Sequence, residues 1–275
     1  NGCQAVANTN VTVFTLPTVD AGLNVSVCPG GDTTLLATGA TTYQWDVDVT
    51  LSQLNIPNPV ASPTGDTWYY VTGTDGNGCE NNDSVQVTLF TPPVVNAGLD
   101  DQVCVGDSTQ LNASGAISYV WNASPFLSAT NIPNPHAFPT SITTFTVTGT
   151  DANGCTDTDD VTISTLSLPA VDAGTTDSHC DGDSTQLFAT GGLTYEWTSD
   201  PALSNLMIQN PWASNTVDTW FYVTAEDVNN CSNIDSVQIT VDPLPNVSAG
   251  LDHGICDGDS TQLDGSGADT YVWDS

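Results

Sequence analysis

The chain contains no lysine and no arginine. Its 32 aspartates and glutamates are therefore unopposed, and the formal net charge is −32. Nucleic-acid binding is excluded on this ground, because neutralising phosphates takes Lys or Arg. Docking on anionic membrane surfaces is disfavoured for the same reason. Two chemical corollaries follow: proteases that cut after basic residues find no site, and Lys–Asn isopeptide crosslinks cannot form. Like charge keeps copies apart in solution, which suits a salt-adapted extracellular surface. A sharper reading of the same charge is a cation-binding or polyanionic coat.

Other features are scarce or missing. No apolar run approaches the ~18 residues that span a bilayer, so no membrane insertion is expected in this segment. No signal peptide is visible. No stretch carries apolar residues at helical spacing. The acidic residues are not massed in low-complexity blocks but are diluted among Val, Leu, Ile and aromatic residues in alternating runs, which argues against disorder.

What is present is a period. Cysteines stand at positions 3, 28, 79, 104, 155, 180, 231 and 256, so each of the first six has a counterpart 76 residues on. The same step carries Tyr43-x-Trp45 to Tyr119-x-Trp121, Tyr195-x-Trp197 and Tyr271-x-Trp273. A fixed period of this size means a tandem array of one unit. The expected division is 1–16 as the end of a preceding repeat, whole repeats at 17–92, 93–168 and 169–244, and the start of a following repeat at 245–275. Both ends fall inside a repeat, which predicts a segment of a longer protein.

Within the second repeat, Val94–Gly98 reads as a short strand continued by Asp101–Cys104, followed by a turn at Val105-Gly106-Asp107. Ser108–Ala113 and Ser118–Trp121 read as further strands, and Leu127–Pro139 as Pro/Asn-rich chain of poor periodicity. Thr143–Thr150 alternates as a long strand, Asp151–Cys155 is a turn, and Asp160–Leu166 is the last strand. Turn signals about every ten residues and Thr/Val/Tyr-rich alternation predict an all-β, antiparallel sandwich. A unit of this size has a thin core that benefits from crosslinks. Trp45, Trp121, Trp197 and Trp273 are the expected core plugs.

The succession N-A-G-x-D, C-x-G-D-S-x-x-L, Y-x-W, T-T-F-T-V-T-G-T-D-x-N-G-C and D-x-V-x-I resembles the PKD-like and related immunoglobulin-like tandem repeats of large Bacteroidota cell-surface or secreted proteins. The resemblance covers nearly the whole chain and is most specific at Cys104-Val-Gly-Asp-Ser and at the run ending in Cys155. The third repeat departs from it, with Asn229-Asn230-Cys231 lacking the Gly, and the loss of basic residues is unusual. The resemblance implies Ig-like sandwiches arranged as an elongated rod, export by type IX secretion, and a role in filaments, stalks or adhesins. It implies no enzyme.

Eight cysteines in an exported β protein argue for disulfides. Zinc is the weaker reading, since no C-x-x-C occurs and His136, His179 and His253 share no repeat position. In an Ig-like order Cys104 lies at the lower end of its sandwich and Cys155 at the upper end. A strand of about seven residues spans roughly 23 Å, whereas a disulfide needs Cα atoms within about 7 Å. The favoured bonds therefore join successive repeats, Cys28–Cys155 and Cys104–Cys231, leaving Cys3, Cys79, Cys180 and Cys256 to partners outside 1–275. Bonds inside one repeat (Cys28–Cys79, Cys104–Cys155, Cys180–Cys231) stay open, as does a short-gap scheme beginning Cys3–Cys28. Short Pro-rich linkers at Thr91-Pro92-Pro93, Ser167-Leu168-Pro169 and Asp242–Pro245 stiffen the joints.

No cofactor is required on this reading. Calcium is the one candidate, at the D-x-N-G-like turns of Asp75, Asn77, Asp151, Asn153 and Asp227, although Asx residues are ordinary in turns. The D-S/T pattern resembles the O-glycosylation acceptor of Bacteroidota at Thr33, Ser84, Ser108, Ser184, Ser236 and Ser260; turn capping is the plainer account. No catalytic constellation is present, because Gly-Asp-Ser has no repeating His partner. The expected partners are neighbouring repeats of the same chain, with lateral self-association into fibres as an addition. The expected function is a structural segment of an extracellular filament, stalk or giant adhesin. The alternatives are a glycan- or protein-binding module, for which Trp212 is the candidate exposed aromatic, or a spacer attached to a secreted enzyme.

Overall fold

A computed structural model describes residues 2–274. Strands of the first repeat are β1 (Val25–Val27), β2 (Thr33–Thr34), β3 (Thr42–Trp45), β4 (Val60–Ala61), β5 (Thr67–Thr74) and β6 (Glu80–Leu89). The second repeat gives β7 (Asp101–Cys104), β8 (Thr109–Gln110), β9 (Ser118–Trp121), β10 (His136–Ala137), β11 (Thr143–Thr150) and β12 (Thr156–Leu166). The third gives β13 (Asp177–Cys180), β14 (Thr185–Gln186), β15 (Thr194–Trp197), β16 (Trp212–Ala213), β17 (Thr219–Glu226) and β18 (Ser232–Asp242). No helix forms among the described residues. The chain divides into two compact units, Asn1–Ser164 and Thr165–Ser275, of which the first holds two repeats.

Each repeat is a sandwich of a four-stranded and a two-stranded sheet. The larger sheets run β1-β6-β5-β3, β7-β12-β11-β9 and β13-β18-β17-β15, and the smaller ones pair β2 with β4, β8 with β10 and β14 with β16. Single bridges widen the smaller sheets, Asp20 to Thr38 and Leu51 to Ala61 in the first repeat. The opening segment of each repeat thus touches one sheet and then crosses to the other, which is an Ig-like arrangement. All three repeats are Ig-like β-sandwiches.

The crossing corrects the purely antiparallel expectation. β1 runs parallel to β6, with Val25 opposite Val87, and β13 runs parallel to β18. The predicted continuous strand from Val94 is broken: only Asn96 bridges, to Ser114, before β7 begins on the other sheet. Gly98 marks the break, its φ of 100° lying where a side chain would be strained. The predicted Ser108–Ala113 strand shortens to β8, and the last strand starts earlier than expected, at Thr156. Leu127–Pro139, read as irregular, contributes β10, because tertiary pairing of His136 with Gln110 sets its register rather than local propensity.

The core of each repeat is built around its tryptophan. Trp45, Trp121 and Trp197 are fully buried. Their indole N–H groups donate to the carbonyls of Ile56, Ile132 and Ile208 at 2.9, 2.9 and 3.0 Å. Around Trp121 pack Leu111, Phe145, Val147, Val161 and Ile163. Tyr119 locks the entry to β9, its hydroxyl accepting the Ala116 N–H and donating to the Ala116 carbonyl. Trp273 is 47% exposed. Trp121 is buried by residues of the two long strands β11 and β12, which have no counterpart in residues 245–274.

Candidate functional site

The cysteines form the first recurrent site. Cys28 and Cys155 are joined by a disulfide across a sequence separation of 127, with Cα atoms 5.3 Å apart. The bond links the end of β1 in the first sandwich to the turn before β12 in the second. On one side the chain folds back at once, with Gly31 N–H donating to the Cys28 carbonyl at 2.9 Å. On the other, Cys155 is fully buried. Cys104 and Cys231 are also disulfide-bonded. Cys3, Cys180 and Cys256 are exposed thiols and Cys79 is a half-buried one.

The turn that presents Cys155 is set by an aspartate. Asp151 Oδ1 accepts the N–H groups of Asn153 and Cys155 at 2.9 and 2.8 Å. Asp75 holds Asn77 and Cys79 in the same way, and Asp227 holds Asn229 and Cys231. The Cys79 N–H, aided by that of Asn77, keeps the Asp75 carboxyl below the usual range. At Asp227 desolvation pulls upward, but the donors Asn229 and Cys231 outweigh it and the carboxyl again sits low. The third repeat replaces the turn glycine with Asn230, at a φ of 61°. Asn tolerates that left-handed backbone better than other side chains do, so the departure in sequence leaves the turn intact. The Oδ1 atom of each turn aspartate is committed to N–H donors, as in ordinary Asx turns. Among the described residues no group of three or more His, Cys, Asp or Glu is placed to hold a metal ion.

A second set of aspartates clamps the opening segment to the last strand. Asp83 accepts the Ala21 N–H, Asp159 that of Ala97 and Asp235 that of Ala173, each at 2.8 Å. In the sequence Asp83 and Asp235 stand out only as the residues before Ser84 and Ser236 in the D-S/T pattern, which gives no sign of this role. The hydroxyl residues of those motifs are spread over several places. Ser108, Ser184 and Ser260 are exposed at turns, Thr33 is half-buried in β2, and Ser84 and Ser236 are half-buried on β6 and β18.

The third repeat contains a buried polar pair. His179 and Asn215 are 7% and 5% exposed. They stand where the first repeat has Val27 and Pro63 and the second has Val103 and Pro139. His179 Nδ1 lies 2.9 Å from the Cys180 carbonyl oxygen and Nε2 lies 3.1 Å from Asn215 Oδ1. Asn215 Nδ2 donates to the carbonyls of Val217 and Ile239, which fixes its oxygen toward the ring. Both ring nitrogens therefore face acceptors, and only the imidazolium satisfies both. The Cys180 carbonyl raises the His179 pKa above its usual value, against desolvation and with help from Asn215, Asp183 and Asp177. The histidines were read as isolated; the signal in the sequence was the joint exchange of Val for His and Pro for Asn.

Aromatic residues also stand outside the cores. Along β5, Tyr69 and Val71 are buried while Trp68 and Tyr70 are 47% and 51% exposed. On β17, Trp220 and Tyr222 are 53% and 47% exposed. The corresponding residues of β11 are Thr144 and Thr146. Trp212, the aromatic singled out from sequence, is half-exposed on the smaller sheet.

No protein-family model matches the chain. No curated protein matches it. Among solved structures it is similar to the N-terminal eight Ig domains of Down Syndrome Cell Adhesion Molecule isoform 1.30.30, at 10% identity and TM-score 0.40, covering 83% of this chain and 37% of that one. It is similar to the I9–I11 tandem of titin, at 10% identity and TM-score 0.37, covering 85% and 99%. It is similar to the human desmocollin-1 ectodomain, at 11% identity and TM-score 0.26, covering 88% and 65%. The chain thus spans well under half the length of the eight-domain structure.

Proposed function

We propose that the chain is a structural segment of a long extracellular filament, stalk or giant surface adhesin, built as a rod of Ig-like repeats. The observation that carries this reading is the Cys28–Cys155 bond, which ties one sandwich to the next. A disulfide inside one domain would stabilise that domain; one between domains restrains the joint. Cys104 and Cys231 stand one period further on and are themselves disulfide-bonded, which supports a staple repeated at each joint. In a longer array Cys3, Cys79, Cys180 and Cys256 would be half-cystines of the same series. Disulfides also suit an oxidising, extracellular compartment.

The charge fits the role. With no Lys or Arg the rod presents no trypsin-type cleavage site, and its like charge opposes lateral clumping. The sequence resemblance to PKD-like Bacteroidota repeats supports type IX export and O-glycans on the D-S/T positions; an intact mass above 28.6 kDa tests the latter. The proposal needs no metal. A melting temperature that falls on adding chelator would bring calcium into it.

Small-angle scattering before and after reduction tests the rod. The oxidised chain should give a long, narrow distance distribution that shortens and broadens as the joints loosen. A compact particle in both states would refute the proposal.

A further inference from the structure

Three sheet faces occupy the same place in the three repeats, yet two of them differ chemically from the third. In the first repeat Trp68 and Tyr70 project from β5, opposite Gln86 and Ser84 of β6. In the third, Trp220 and Tyr222 project from β17, opposite Gln238 and Ser236 of β18. In the second, Thr144 and Thr146 face Thr162 and Asp160. Toward the last strand the rings and their partners change as a set: where aromatics stand, the partners on that strand are amide and hydroxyl; where they are missing, a carboxylate takes the serine position.

Folding does not account for the rings. The cores beneath are filled by Tyr69 and Val71, and by Phe221 and Val223, which are all fully buried. The second repeat closes an equivalent core with threonines outside. The exposed rings leave apolar surface in water, a cost that a partner could recover.

The chemistry selects among partners. A second copy of the chain would bring another charge of −32 with no cation to offset it. Anionic polymers are opposed by the same field. A cationic partner would be served by carboxylates beside the rings, and on one side of each platform there is an acidic neighbour, Asp46 opposite Tyr70 and Glu196 opposite Thr224. On the other side the rings face only Gln and Ser, and the carboxylate there, Asp160, stands in the repeat that lacks rings. A polycation is therefore the competing ligand that the test below includes. A neutral, hydroxyl-rich chain fits the feature the two platforms share, a Trp opposite Gln and a Tyr opposite Ser. Its apolar ring faces can stack on Trp and Tyr, and its hydroxyls can bond to the Gln amides and Ser hydroxyls alongside. The two rings of a pair sit two residues apart, about 6.6 Å along the strand, so they can engage adjacent units of one extended polymer.

We propose that the outward faces of β5–β6 and β17–β18 are binding platforms for neutral polysaccharide, Trp68 and Tyr70 forming one and Trp220 and Tyr222 the other, with the second repeat as a non-binding spacer. Two weak platforms on one chain gain by avidity. The proposal does not rest on the rod reading, since each platform is built within a single repeat.

The test is native affinity electrophoresis of the whole oxidised chain through gels containing hydroxyethylcellulose, xyloglucan, glycogen or galactomannan. At least one polymer should retard the wild type. Trp68→Ala with Tyr70→Ala should weaken the retardation about tenfold or more, through loss of one of two tethered sites. Adding Trp220→Ala and Tyr222→Ala should abolish it, whereas Thr144→Ala with Thr146→Ala should change nothing. The combination Thr144→Trp, Thr146→Tyr and Asp160→Ser should strengthen retardation by building a third platform, a gain that loss of folding cannot mimic. No retardation by any of the four polymers, or retardation that survives removal of all four rings, overturns the proposal. So does ring-dependent binding of polylysine without glycan binding, or ring-dependent dimerisation in sedimentation.

Discussion

Asp159 accepts the backbone N–H of Ala97 at 2.8 Å, across 62 residues of sequence. The same bond recurs at Asp83–Ala21 and Asp235–Ala173. In a chain without Lys or Arg, these carboxylates find their donors on the backbone instead. The bond fixes the opening segment just before it crosses between sheets, and so sets up β7 and the turn at Cys104.

Replacing Asp159 therefore destabilises the second repeat. Asp159→Ala should cost roughly 1.5–3 kcal/mol, the range for a hydrogen bond to a charged group, and Asp159→Asn should recover part of that. Urea unfolding checks both. Two variants as stable as the wild type would remove the clamp from the account.

The third repeat should be sensitive to alkali in a way the others are not. Because the folded pKa of His179 is raised above 6.5, its contribution is fully present below that value and is lost as pH rises through the folded pKa. A neutral ring has one N–H for two acceptors. The ionisable groups around it are Asp177 on its own strand, Asp183 beyond the turn and Asp242, which pairs with Cys180 on β18. Asp177 is shifted down, first by the Thr185 hydroxyl, so its contribution is present above 3.8 and lost as pH falls through its folded pKa. Between pH 6 and 8.5 the melting transition of the third repeat should fall relative to a His179→Val, Asn215→Pro double variant, which restores the residues of the other repeats. Parallel pH profiles for the two proteins would contradict the reading.

The tryptophans should behave as core plugs with a polar tether. Trp121→Ala should cost about 3–5 kcal/mol. Trp121→Phe should cost less but still leave the Ile132 carbonyl without its donor. Denaturant curves that show no difference between Trp121→Phe and the wild type would show that the tether contributes nothing.

Much of the fold was legible because alternation and turn residues are local signals. Thr143–Thr150, the Tyr-x-Trp strands and the Asx turns at Asp75, Asp151 and Asp227 were all visible as patterns. What was not legible depended on distant partners. The parallel run of β1 beside β6, the pairing of β10 and the Asp159 clamp each join segments far apart in sequence. His179 was passed over because one His has no period, although its appearance at a Val position was itself the clue. The exposed pairs at Trp68/Tyr70 and Trp220/Tyr222 could have been read from alternation, since Tyr69 and Phe221 fall on the buried face between them.

The claim on which the account turns is that the staples run from repeat to repeat. Loop closure over the 127-residue separation of Cys28 and Cys155 should also restrict the unfolded chain by roughly 5 kcal/mol. Peptide mapping under non-reducing conditions tests the connectivity directly, with an Asp-directed protease because trypsin has no site. The account predicts Cys28 linked to Cys155 and Cys104 linked to Cys231, with Cys79 and Cys180 free in this chain. Peptides joining Cys28 to Cys79, or Cys104 to Cys155, would contradict it.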